Sequence, residues 1–117
     1  MDDIAQGFRE SRLNLLELIA SPTEQRTFAA KVPYGDYASE FYCWWFDDFH
    51  PDSDLFQQAF LPNEIEILRY FSSTWEREDS VLGQTDRAIE ELLSNDNWCS
   101  VIEAAKQAAV HLTRRAT

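Results

Sequence analysis

Apolar residues recur at helical spacing from the start of the chain. Ile4, Phe8, Leu15, Leu16 and Ile19 share one stripe, with Arg9, Arg12, Asn14 and Glu17 mostly off it. The pattern predicts an amphipathic helix over Asp3 to Ala20, with acidic residues at its positive end. Ser21-Pro22-Thr23-Glu24 reads as a capping box with proline in the first turn of a second, short helix running to about Lys31. Val32-Pro33-Tyr34-Gly35 closes that helix, because a residue before proline avoids helical geometry.

From Asp36 to Phe49 the chain is densest in large side chains. Asp36 suits an N-cap, and Tyr37, Phe41, Trp44, Trp45 and Asp48 share one helical face. The unbroken Phe41-Tyr42-Cys43-Trp44-Trp45-Phe46 run is also good strand material, and periodicity alone does not separate the two. A buried helix is the favoured reading, since no convincing second strand exists to pair with it. Beyond the break at His50-Pro51, a short helix is expected over Asp52 to Phe60. Pro62-Asn63-Glu64 opens a longer one with Ile65, Leu68, Phe71 and Trp75 on one stripe. Gly83 fits a left-handed residue just past a helix end. Thr85 is expected to cap a short helix through Leu93, and Ser94 or Asn95 to cap the last. That final helix has the clearest pattern, with Trp98, Val101, Ile102, Ala105, Ala109 and Leu112 on one face. His111, Arg114 and Arg115 sit at its negative end.

These elements imply an all-α, single-domain bundle of five to seven helices spanning residues 1–117. The 117 residues, 44% hydrophobic and 14% aromatic, suffice for one core without staples. Cys43 and Cys99, widely separated and each in an apolar stretch, read as small buried hydrophobes in a reducing compartment. The acidic start and the polar interruptions at Asn14 and Glu17 argue against a signal peptide, and no run approaches a membrane span, so a cytoplasmic location is expected.

Charge sharpens the functional picture. The net charge is −11, and it is uneven: Asp47 to Glu91 holds twelve acids against Arg69, Arg77 and Arg87, an excess of nine. Such a field repels phosphate backbones and anionic membranes and favours a cationic partner. Keeping the protein soluble is the plainer use of the same charge. Trp44, Trp45, Phe49, Phe56 and Trp75 are interleaved with the acids, and aromatic anchors ringed by acids suit an interface for a basic protein. The candidate partner-binding residues are Asp47, Asp48, Asp52, Asp54, Trp44, Phe49, Glu76, Glu78 and Asp79. Ordinary amphipathic helices, aromatics in and acids out, are the structural alternative for any one of them.

Catalytic and metal chemistry find less support. Asp47-Asp48-Phe49-His50-Pro51-Asp52-Ser53-Asp54 offers oxygen ligands, but it lacks the glycine and terminal glutamate of a calcium loop. Two histidines and two distant cysteines make a poor zinc set. Capping of the helices around Pro51 by Asp48 or Asp52 explains the same acids. His50 is a conceivable general base oriented by Asp48 or Asp52, but no nucleophile elbow or glycine-rich phosphate loop accompanies it. The chain is therefore expected to be a binding protein without cofactor or metal, not an enzyme.

Val32-Pro33-Tyr34-Gly35-Asp36, then Trp44-Trp45-Phe46-Asp47-Asp48-Phe49-His50-Pro51-Asp52-Ser53-Asp54-Leu55-Phe56, and later Asn97-Trp98 before an alanine-rich helix, resemble small bacterial immunity proteins of contact-dependent growth-inhibition systems. The likeness covers residues 32–112 in outline and carries no catalytic or toxin-contacting motif. It implies a small, acidic, cytosolic toxin inhibitor that blocks a cognate toxin domain, often a basic nuclease. Masking a positively charged, phosphate-binding cleft with an acidic surface is consistent with that implication. The reading from another class is a non-catalytic helical module that docks on a cytosolic protein or self-associates.

Overall fold

The computed structural model describes residues 2–33 and 35–113, and seven α-helices lie among them. α1 (Asp3–Ala20) begins where the Asp2 carboxylate accepts the Ala5 N–H at 2.8 Å. α2 (Pro22–Lys31) has Pro22 in its first turn, and the Ser21 hydroxyl accepts the Glu24 N–H at 3.1 Å. α3 (Tyr37–Phe46) is capped by Asp36, whose carboxylate accepts from both the N–H and the hydroxyl of Ser39. The aromatic run at 41–46 is thus helical, its backbone groups paired within the segment. α4 (Asp54–Ala59) is shorter than the expected 52–60, and its cap is Ser53, not Asp48 or Asp52. Those two carboxylates instead face arginines of other helices.

α5 (Pro62–Leu82) is the longest helix. Its third residue, Glu64, turns back to accept the Leu61 N–H at 2.9 Å, and Gly83, at φ +73°, ends it in the left-handed region. α6 (Ile89–Leu93) starts after Ala88, so Thr85 caps nothing. The 83–88 stretch is an irregular link, and Arg87 within it donates to the Leu82 carbonyl. α7 (Asp96–Thr113) is capped by Asn95, which accepts the N–H groups of Asn97 and Trp98. His111 is exposed at its C-terminal end, and the expected role of Arg114 and Arg115 falls outside the described residues, as does Tyr34.

α7 packs between α5 and α1 and runs antiparallel to both. Asn97, at its start, donates to Glu78 near the end of α5, and Trp98 reaches Gln25 just beyond the end of α1. The core between them is largely aromatic: Phe41, Trp45, Phe56, Phe71, Trp75 and Trp98 are each fully buried. Their rings meet edge-on or offset, as ring quadrupoles prefer, with Trp75 and Trp98 at 5.8 Å and Trp45 and Phe71 at 5.3 Å. Two indole N–H groups find neutral acceptors inside: Trp45 donates to Ser72 at 2.9 Å and Trp98 to the Gln25 carbonyl oxygen at 3.0 Å. Gln25 in turn donates to the Ile19 carbonyl, so a fully buried amide locks the α1–α2 corner onto α7.

Two expectations about burial are reversed. On α1 the inward face is Ala5, Arg9, Arg12, Leu16 and Ile19, while Ile4 is 75% exposed. Arg9 enters the core because a bidentate carboxylate waits there: its guanidinium meets both Glu64 oxygens, at 2.8 and 2.9 Å, donates to the Ala59 carbonyl, and lies over Phe60. Arg12 enters beneath α3 and donates to the carbonyls of Trp44 and Trp45, two of the acceptors a helix leaves open at its C-terminus. The cysteines are the second reversal. Cys43 and Cys99 are both exposed and free, because each lies on the outer side of its helix.

Candidate partner-binding surface

The outward face of α3 is set by helix geometry. Asp36, Glu40, Cys43 and Asp47 follow spacings of four, three and four, which align them on one side of the helix. Glu40, Cys43 and Asp47 are exposed, and no Lys or Arg among the described residues forms an ion pair with Asp36, Glu40 or Asp47. Opposite this ridge, α5 presents Glu76 and Asp79. Tyr42 packs edge-on against Trp75 in the seam between the two helices.

The carboxylates in that seam act on one another. Asp79 is held above the usual carboxylate range, first by partial burial and then by the negative charge of Asp36. The Tyr42 phenol is also raised, by partial burial and by Glu76 and Asp79. Burial alone gives both shifts this sign, and the neighbouring negative charges add to it. An arriving cation would relieve that repulsion.

The nine candidate residues divide accordingly. Asp47, Asp54, Glu76 and Asp79 carry no ion pair among the described residues. Asp48 stands 3.6 Å from Arg12, Asp52 is bound by Arg69 at 2.9 Å, and Glu78 lies beside Arg77 while accepting from Asn97. Trp44 is 38% exposed, its ring held edge-on against Phe28 on the flank of α3 facing α2. Phe49 is half-buried between Trp45 and Phe56, where it closes the core at the α3–α4 corner. The corner acids Asp47 and Asp54, the seam acids Glu76 and Asp79, and the Trp44 edge are therefore the groups open to a partner. Asp36 and Glu40 join them, and their spacing from Asp47 was the available signal in the sequence.

Among the described residues, no Ser, Thr or Cys side chain is hydrogen-bonded to His50. Its Nε2–H donates to the Asp47 backbone carbonyl at 2.9 Å, so the ring is oriented by the turn and not by the Asp48 or Asp52 carboxylate. Among the described residues, no three His, Cys, Asp or Glu side chains converge as a metal site. Nor is any described helix long and apolar enough to cross a membrane. No protein-family model matches the chain, and neither a curated protein nor a solved structure matches it.

Proposed function

We propose that this protein is a stoichiometric inhibitor of the immunity type, which covers the cationic surface of a cognate toxin domain. The observation that carries the reading is that Asp36, Glu40, Asp47, Glu76 and Asp79 form no ion pair among the described residues, on a chain of net charge −11. Such a surface attracts a basic, phosphate-handling cleft over distance and occupies it as the substrate's own charge would. The fully buried Phe41, Trp45 and Trp75 behind α3 support it, since a surface backed by close packing loses less entropy on docking.

The test starts from the gene directly upstream, which on this reading encodes a large secreted protein, and uses the C-terminal domain of its product. That domain and this chain should form a one-to-one complex, and its toxic activity should fall as the complex forms. Replacing Asp47, Asp54, Glu76 and Asp79 by Asn or Gln should slow association by about ten-fold or more at low salt, with melting preserved. Absence of a complex at micromolar concentrations, or a variant with unchanged association kinetics, would refute the assignment.

A further inference from the structure

A second surface lies on the far side of α5, where its flank and that of α7 diverge to leave an open groove of about 720 Å³. The groove runs from Glu66 to Arg77 along α5 and from Ser100 to His111 along α7, a span of eleven residue steps on each helix. At 1.5 Å per residue that is roughly 16 Å, three helical turns. Its floor is apolar, built from Phe71, Ala104 and Ala108, with Ile67 on the wall. Alanines on α7 leave room for another backbone to approach closely. On the rim stands Tyr70, 75% exposed although it is aromatic, which is the kind of side chain that anchors protein contacts.

The charges on the rim say what fits. Each wall carries an exposed acid, Glu103 on α7 and Glu66 on α5, the latter sharing its charge with Arg69 3.5 Å away at the surface. The bases stand at the two ends, Arg77, which already lies 3.6 Å from Glu78, and His111. A second copy of this chain, itself of net charge −11, would meet those acids with like charge. We infer that the groove takes an amphipathic helix of the cationic partner, its apolar side on Ala104 and Ala108 and its basic flanks against Glu66 and Glu103. The inference rests on the cationic-partner reading above and adds a second point of attachment, remote from the α3 ridge. Recognition is of the helix-in-groove kind, read by side chains at i, i+4 and i+7.

Nuclear magnetic resonance titration of the isotope-labelled full chain tests it. The probe is an end-capped synthetic peptide of about 14 residues, with leucines on one helical face and lysines on both flanks. It should shift the amides of Ile67, Tyr70, Ala104 and Ala108 saturably. Binding should weaken by roughly ten-fold when the lysines are replaced by glutamates, when the leucines are scattered, or in Tyr70→Ser and Ala104→Gln proteins of unchanged melting temperature. Shifts confined to Asp47–Asp54, or equal binding of the scattered peptide, overturn the groove as the docking site, as does no binding. Sedimentation showing a dimer broken by Tyr70→Ser overturns it in favour of a second copy. The upstream-domain experiment is read on the α3 and α5 acids, so either result can fail without the other.

Discussion

Removing the Glu64 side chain strips the α1–α4–α5 junction of its central acceptor. The carboxylate is 1% exposed and receives two hydrogen bonds from Arg9, at 2.8 and 2.9 Å, and one from the Leu61 N–H at 2.9 Å. Hydrogen bonds to charged groups contribute about 1.5–3 kcal/mol each, and loss of a helix N-terminal contact about 1 kcal/mol. Relaxation and water entry recover part of that sum, so Glu64→Ala should cost about 3–5 kcal/mol, as for other buried pairs deprived of one member. Arg9→Met should cost a similar amount, since it leaves a buried carboxylate without its guanidinium. In Arg9→Met/Glu64→Leu, neither charge is left behind, so the double variant should be more stable than either single one. The coupling should be at least about 2 kcal/mol. Urea unfolding followed by circular dichroism measures all three, and at about 2 kcal/mol per molar the single variants should lower the midpoint by about 2 M. Additive single effects, or a Glu64→Ala loss under about 1 kcal/mol, would show that the pair is incidental to packing.

Two further predictions bear on the core and the seam. Trp98→Ala should cost about 3–5 kcal/mol in the same assay, because it empties a fully buried site and leaves the Gln25 carbonyl oxygen without its indole donor; a near-neutral midpoint would place the α7 stripe elsewhere. Asp79 is raised in the folded state, so through the carboxylate range and just above it the native chain holds more protons than the unfolded chain, and its contribution to stability falls as pH rises through that window. Asp79→Asn should flatten that decline and leave the protein no less stable at neutral pH, as thermal melts across pH would show; a steeper decline would mean that Asp79 makes a favourable contact when ionised.

The helices were readable from the sequence because what makes a helix is local. α1 and α2 lie over the expected residues, and the caps at Asp36 and Asn95 and the stop at Gly83 act within a few positions of themselves. The stripe on α5 and most of that on α7 likewise face inward as their spacing requires. The acidic excess was legible too, since charge is additive and needs no fold to be counted. Tertiary structure decided which polar side chains go inside and which carboxylates go uncompensated. Arg9 sits on the buried side of α1 and Ile4 outside because the carboxylate that makes burial favourable is 55 residues away, on another helix. Cys43 lies outward because the bulkier Phe41 and Trp45 take the inward side of α3. Asp48 and Asp52 found arginines, while Asp79 was partly buried and came under the negative charge of Asp36, an influence that exists only because the tertiary fold brings α5 near the start of α3. Spacing along a chain specifies which groups share a face; only packing specifies what that face meets.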